Sequence, residues 1–182
     1  SGKRLYLRRY WAYERRIDRA LRLRLASVED AAADLPQRLN RLFDQPAPDG
    51  VIDWQKLACA LATRGAFSIV TGGPGTGKTT TVVRLLALLQ APAVESGSPL
   101  RIRLAAPTGK AAARLTESIS QQVLSLTVPD NVREKIPTQV TTVHRLLGSR
   151  PGTRHFRHHL GNPLPLDVLV VDEASMIDLE MM

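Results

Sequence analysis

Short apolar runs alternate with amphipathic segments along this chain of 182 residues. Three runs have strand length: residues 66–71, 101–106 and 166–171. Segments with helical spacing follow the first two runs, at residues 79–89 and 110–124. The third run is apolar except for Asp167 and lacks alternation, which is typical of a parallel strand buried on both faces. Strands alternating with helices predict an α/β fold, a mostly parallel sheet of about five or more strands with helices on both faces.

The first fifty or so residues predict helices instead. A helix is expected over residues 10–25, where apolar side chains recur near helical spacing: Trp11, Ile17, Leu21 and Leu25. Ser27 followed by Asp30 resembles a capping box and predicts a second helix that ends near Phe43. Residues 44–50 have the composition of a linker. We therefore expect a small helical N-terminal segment over residues 1–46 and an α/β domain over residues 51–182.

Turn and cap residues refine these elements. Asp53 is expected to cap a helix that runs to about Thr63, and Pro92 to stop the helix that begins near residue 79. Residues 141–148 predict a strand end, a threonine cap and a short helix closed by Gly148.

Residues 72–79 read GGPGTGKT and match the pattern G-x-x-x-x-G-K-[ST] of a phosphate-binding loop. Glycines let backbone N–H groups approach a triphosphate, Lys78 can reach the β and γ phosphates, and the Thr79 hydroxyl can hold Mg²⁺. The alternative is a glycine-rich turn that binds nothing. The predicted strand before the loop and helix after it favour ATP binding. The loop and the start of its helix supply these candidate nucleotide contacts: Gly72, Gly73, Pro74, Gly75, Thr76, Gly77, Lys78, Thr79 and Thr80.

Two adjacent carboxylates, Asp172 and Glu173, follow the last apolar run. Ligands of open α/β sheets bind at the carboxyl ends of the strands, so this pair is expected beside the phosphate loop. Asp172 would then hold Mg²⁺ and Glu173 would orient or deprotonate the attacking water. The alternative is that the pair caps a helix that begins at Ala174.

Charge is concentrated at the N-terminus. The net charge is +8, of which residues 1–25 carry +7, with nine Lys or Arg against two acidic residues. Such a basic segment suits nucleic acid or an acidic protein partner, or it is a solvated helix face. An aromatic content of only 4% argues against a broad base-stacking platform.

The single cysteine, Cys59, lies in an apolar helical stretch and is interpreted as a core residue. One cysteine excludes a disulfide framework within the chain, which fits a reducing, cytoplasmic location. No apolar run approaches membrane-spanning length, so no membrane partner is expected. His155, His158 and His159 lack cysteine or carboxylate partners at ligand spacing, which favours a basic loop over a metal cluster.

The ordered set of motifs resembles the first motor domain of superfamily 1 DNA helicases, specifically the RecD family, the α subunits of exonuclease V (the RecBCD complex). The segments that carry the resemblance are residues 4–7, 54–56, 72–82, 101–116, 142–148 and 166–178. The long stretches LAAPTGKAAARL and VVDEASMID are more distinctive than the phosphate loop, which many families share. The resemblance implies a RecA-like P-loop NTPase domain that uses ATP and Mg²⁺.

The resemblance also implies site roles. Gln55 would recognise adenine, since a side-chain amide can read both a donor and an acceptor; the alternative is an exposed helix residue near the cap. Two motifs would contact DNA, and they comprise Pro107, Thr108 and Gly109 in one and Thr142 and His144 in the other. A strand-end turn with a hydroxyl and free N–H groups suits a backbone phosphate. For His144, a structural hydrogen-bonding role remains open.

The implied function is ATP-driven 5′-to-3′ DNA unwinding in recombinational double-strand break repair, with single-stranded DNA and RecB-like and RecC-like subunits as partners. A conjugative relaxase helicase is a close alternative; a P-loop ATPase switch and a partner-docking module are more distant ones. The sequence ends at Met182, soon after Asp172, without later helicase motifs. We therefore expect half a motor that lacks a second RecA-like domain and its arginine finger. By itself it should show little DNA-stimulated ATPase activity and no unwinding.

Overall fold

The computed structural model of this chain describes residues 5, 7–28, 30, 32–44, 51–73, 75–150, 152–153 and 155–182. Its elements, in chain order, are α1 (Arg8–Ala26), α2 (Leu35–Leu42), α3 (Trp54–Ala62), α4 (Lys78–Glu95), β1 (Ile102–Ala106), α5 (Gly109–Leu124), α6 (Asp130–Arg133), β2 (Val140–Thr142), α7 (Val143–Leu147) and β3 (Val168–Val171), followed by a 3₁₀ turn at Ala174–Met176.

The three strands form a parallel sheet in the order β2-β1-β3. Ala106 lies opposite Thr142, and Ala105 lies opposite Val171. The carboxyl ends of all three strands therefore meet at one edge of the sheet, where ligands of such sheets bind. The predicted α/β class with a parallel sheet is confirmed.

The expectation of five or more strands is wrong for the described residues, whose sheet has three. The run at residues 66–71 does not join it, and Ile69 is 74% exposed. A short apolar run cannot be distinguished by composition from an irregular segment, because only the ladder of hydrogen bonds makes a strand. Burial of the last strand on both faces is also wrong, since Leu169 of β3 is 42% exposed at the edge of this sheet.

One hydrophobic core joins the sheet to the helices. α4 packs against α3 and α5, and α5 packs on β1 and β2. The core residues include Leu35, Leu39 and Leu42 of α2, Val83 and Leu86 of α4, Leu104 of β1 and Ile119 of α5. Thus α2 packs into the same core as α4. Residues 45–50, which include most of the predicted linker, lie outside the described residues, so the predicted domain boundary stays a prediction.

α4 does not stop at Pro92, as the sequence predicted, but continues one turn further, to Glu95. A proline within a helix removes one backbone hydrogen bond, and α4 tolerates it only near its end. Beyond the C-cap residue Ser96, the chain turns away at Gly97, which has φ +76°. The N–H groups of Gly97 and Ser98 donate to the carbonyls of Val94 and Ala93, which closes the last turn.

The second N-terminal helix also begins later than predicted. The described residues between Ser27 and Asp34 are not helical; α2 begins at Leu35, with Pro36 in its first turn. A helix from Ser27 would place Pro36 in its interior, where the ring collides with the preceding turn, whereas the first turn accepts proline. The first helix is confirmed as α1, which buries none of its residues.

Asp167 lies just before β3 and ties it to β1. Its carboxylate accepts hydrogen bonds from the Arg101 guanidinium at 2.9 and 3.0 Å and from the Arg101 backbone N–H at 2.7 Å. These bonds to Arg101 lower the pKa of Asp167 to about 2. The one polar residue in the predicted strand therefore fixes the entry to β3.

Among the described residues, no helix combines the length and apolar character needed to cross a bilayer. Within the same residues, no group of three or more His, Cys, Asp or Glu side chains could hold a metal ion.

Candidate ATP site and nucleic-acid edge

The phosphate loop leads directly into α4. Gly77 is the N-cap of this helix and has φ +79°, a conformation that favours glycine. The Lys78 ammonium donates to the carbonyl oxygens of Gly72 and Gly73, each at 2.7 Å. A Cβ at Gly72 would lie 2.6 Å from Thr76 Oγ1, so a side chain there would displace the Thr76 hydroxyl. The loop therefore holds its lysine within a glycine-lined turn at a helix N-terminus, where anions bind.

The remaining described residues of the predicted loop lie just before α4 or in its first turn. Thr79 and Thr80 are half-buried in the first turn of α4, and Gly75 is exposed with φ +74°. Pro74 lies outside the described residues. The Thr76 hydroxyl donates to the Gly73 carbonyl at 2.9 Å, a contact within the loop itself.

α3 brings Gln55 against the loop. Asp53 caps α3, as predicted, by accepting from the Lys56 backbone N–H at 3.0 Å. The Gln55 amide donates to the Thr76 carbonyl at 3.1 Å, and a Cβ at Gly77 would collide with that amide. Gln55 is therefore a neighbour of the loop and not merely an exposed residue near a helix cap.

One turn along α3, Cys59 is fully buried, and its thiol lies 3.4 Å from the Thr81 carbonyl of α4. Residues four apart share a helix face, so Gln55 and Cys59 together fix α3 against the loop and its helix. Burial raises the pKa of the Cys59 thiol to about 12, which keeps it neutral. The prediction that Cys59 is a core residue is confirmed.

The carboxylate pair follows β3 at the carboxyl edge of the sheet. The Asp172 backbone N–H donates to the Ala105 carbonyl at 2.9 Å, which fixes Asp172 beside β1. Glu173 is exposed and has φ +52° and ψ +37°. Only a 3₁₀ turn, Ala174–Met176, follows, so the alternative of a carboxylate pair capping a full helix from Ala174 is not observed.

The two predicted DNA motifs lie at the same edge of the sheet. Thr108 follows β1 and accepts from the Ala111 N–H, while Thr142 ends β2 and accepts from the Arg145 N–H, both at 3.2 Å. The predicted threonine cap of α7 is therefore confirmed. Each hydroxyl uses its oxygen as a helix cap and keeps its proton for another acceptor, such as a phosphate oxygen. Pro107 and Gly109 flank Thr108, and an added Cβ at Gly109 would meet open space.

His144 is exposed on α7, and its ring packs edge-to-face on Phe156, with ring centroids 6.1 Å apart. Phe156 belongs to the basic loop that follows α7. This loop folds back on α7, since the Arg157 N–H donates to the Gly148 carbonyl and the His158 N–H to the Leu147 carbonyl, both at 2.9 Å. No sequence pattern singled out Phe156, because its contact with His144 depends on how the loop folds.

A family model for an AAA domain matches residues 55–182. The chain belongs to this AAA domain family. The match begins at Gln55 and covers the phosphate loop, both threonine-capped turns and the carboxylate pair, which are the parts of the site described above.

Three relatives carry the comparison further. The RecBCD enzyme subunit RecD of Mycolicibacterium smegmatis is 46% identical over 100% of this chain and 31% of its own length. The subunit of the same name from Haemophilus influenzae is 44% identical over 98% of this chain and 28% of its own length. The ATP-dependent RecD2 DNA helicase of Deinococcus radiodurans is 40% identical over 60% of this chain and 12% of its own length. The resemblance to RecD is confirmed, and this AAA domain chain spans less than a third of the length of the RecD subunits it matches.

Proposed function

We propose that this chain is the ATP-binding motor domain of a RecD-like 5′-to-3′ DNA helicase subunit. The observation that carries the proposal is the phosphate loop, which holds Lys78 at the N-terminus of α4 with Gln55 packed against it. Similarity to RecD subunits along essentially the whole chain supports the helicase assignment over a P-loop switch.

Each residue has a defined part in ATP hydrolysis. The loop N–H groups and Lys78 would bind the triphosphate, and Gln55 would face the base. Thr79 and Asp172 would hold Mg²⁺, which neutralises charge on the phosphates when bound. Glu173 would accept the proton of the attacking water. The fit of the ion rests on the donor types, since a hydroxyl and a carboxylate are oxygen ligands that suit Mg²⁺.

The threonine-capped turns would hold the DNA track. Thr108 and Thr142 lie at the carboxyl ends of neighbouring strands, so their free hydroxyl protons could contact successive backbone phosphates. Single-stranded DNA is therefore the proposed polymer. RecB-like and RecC-like subunits are the proposed protein partners, and the cytoplasm is the proposed location, because the matched relatives are named as RecBCD subunits.

The proposal is tested on the full-length protein by measuring ATP turnover with and without single-stranded DNA. We expect DNA to stimulate turnover and Lys78→Ala to abolish it while leaving the circular dichroism spectrum unchanged, because Lys78 lies in the first turn of α4 and contributes charge, not core packing. A P-loop switch would hydrolyse ATP without responding to DNA, which would contradict the motor assignment.

Polarity is tested with duplexes that carry a single-stranded tail on either the 5′ or the 3′ side. We expect unwinding only when the loading tail gives 5′-to-3′ movement. Co-purification with RecB-like and RecC-like subunits tests the partners separately. Unwinding of the opposite polarity would leave ATP-driven movement intact but would contradict the assignment to a RecD-like subunit.

A further inference from the structure

A cleft of about 720 Å³ lies beside the phosphate loop. Thr76 of the loop and Gln55 line it, together with residues that include Phe43, Trp54 and Arg84. This volume is in the range of small-molecule sites. Because the cleft reaches the loop through Thr76, a nucleotide with its phosphates on the loop would direct its base into it.

Arg84 is the unusual residue of this cleft. Its guanidinium carbon lies 4.4 Å from the centroid of the Phe43 ring, and that ring is only 6% exposed. In the described part of the chain, the Arg84 guanidinium has no hydrogen-bond or ion-pair partner. A half-buried cation thus lies over a buried aromatic ring, and its N–H groups have no acceptor among the described residues.

Arg84 is poorly placed to contact the triphosphate. It lies six residues after Lys78 on α4, which corresponds to a rise of roughly 9 Å along the helix axis. A planar guanidinium seated on one ring can pack its opposite face on a second planar ring, as arginines do in nucleic-acid sites. The ligand chemistry that fits Arg84 is therefore an aromatic base and not a phosphate.

The proposed function already directs the base of ATP toward Gln55; we propose that Arg84, seated on Phe43 in the same cleft, stacks on that base and favours a purine over a pyrimidine. The inference rests on the proposed function, since it requires a triphosphate on the loop. It assigns a role to α2 as well. Phe43 directly follows α2, so the N-terminal helical segment contributes a wall of the nucleotide site.

The test compares ligands that differ only in the base. Dissociation constants for ATP, CTP and inorganic tripolyphosphate, each with Mg²⁺, are measured by calorimetry on the full-length protein. We expect Arg84→Ala to weaken ATP binding about tenfold, CTP binding less, and tripolyphosphate binding less than about twofold. Arg84→Lys keeps the positive charge but removes the planar guanidinium, so it should also weaken ATP binding. Phe43→Leu keeps an apolar contact but removes the aromatic ring, so it should weaken ATP binding less than Arg84→Ala does.

Arg114→Ala serves as the matched control, because Arg114 is an exposed arginine on α5 and should leave all three affinities unchanged. Circular dichroism verifies that each variant is folded. The proposed stacking role would be overturned if Arg84→Ala bound ATP as tightly as the parent. It would also be overturned if the variant's affinities for ATP and tripolyphosphate fell by the same factor. A parent protein that bound neither ligand would instead overturn the proposed function.

Discussion

Replacing Gln90 by methionine should destabilise the fold, although the volume of the side chain hardly changes. Gln90 is 1% exposed in α4, and its carboxamide makes three hydrogen bonds to backbone groups. Its nitrogen donates to the Leu100 carbonyl at 3.2 Å and the Lys135 carbonyl at 2.9 Å, and its oxygen accepts from the Leu100 N–H at 2.9 Å. Gln90 therefore joins α4 to the entry of β1 and to the end of the α6 turn.

The magnitude follows from those three bonds. Methionine has nearly the same length and shape, so little packing is lost, but three partly buried backbone groups lose their partners. Each unsatisfied group costs about 1–3 kcal/mol, with the lower value suited to groups near the surface. We expect a loss of about 3 kcal/mol in the free energy of unfolding, out of a total of about 5–15 kcal/mol for a typical domain.

The assay is urea unfolding followed by far-ultraviolet circular dichroism, with the m-value compared between variants. Gln121→Met is the control, because Gln121 is an exposed glutamine on α5 and should change stability by less than about 0.5 kcal/mol. If Gln90→Met cost less than about 1 kcal/mol with an unchanged m-value, the three bonds would not join these elements as argued.

Three further predictions concern charge and chemistry. The hydrogen bonds from Arg101 lower the pKa of Asp167 to about 2, against 3.8 for the free group. They therefore stabilise the folded state fully above about pH 4, and this stabilisation is lost as the pH falls through 2. Asp167→Asn should reduce the fall in melting temperature that acidification causes in this range. Since burial raises the pKa of Cys59 to about 12, the thiol should resist disulfide reagents at pH 8 and react only after unfolding in urea; rapid labelling of the folded protein would contradict its burial. Glu173→Gln should keep ATP affinity and lose turnover, because an amide cannot accept the proton of water; turnover at the parental rate would exclude the base role.

Local chemistry made most of the site predictable from the sequence. Three local features act within a few residues of the chain. They are a glycine loop before a helix, an aspartate or threonine three residues before the N–H that it caps, and a glycine after a short helix. Asp53, Thr142 and Gly148 accordingly hold the positions that the pattern predicts.

Predictions that depended on distant partners were less successful. Residues 66–71 have the composition of a strand, but pairing needs a neighbouring strand, which local composition does not specify. Pro92 is a strong stop signal, yet core packing of α4 and the closing turn at Gly97 outweigh the one bond that it removes. The contacts of Phe156 with His144 and of Phe43 with Arg84 bring together residues 12 and 41 positions apart, so no periodicity could reveal them.

Glu173 shows why backbone conformation adds to the sequence argument. It is the only non-glycine residue with positive φ among the described residues, a conformation that costs about 1–2 kcal/mol for a residue with a Cβ. Two hydrogen bonds hold the chain on either side, from the Asp172 N–H to Ala105 and from the Met176 N–H to the Glu173 carbonyl at 3.0 Å. Glycine would adopt this turn without that strain, so stability alone does not account for a glutamate here. The strained, exposed position of Glu173 beside Asp172 therefore supports the proposal that its carboxylate takes part in the chemistry of the site.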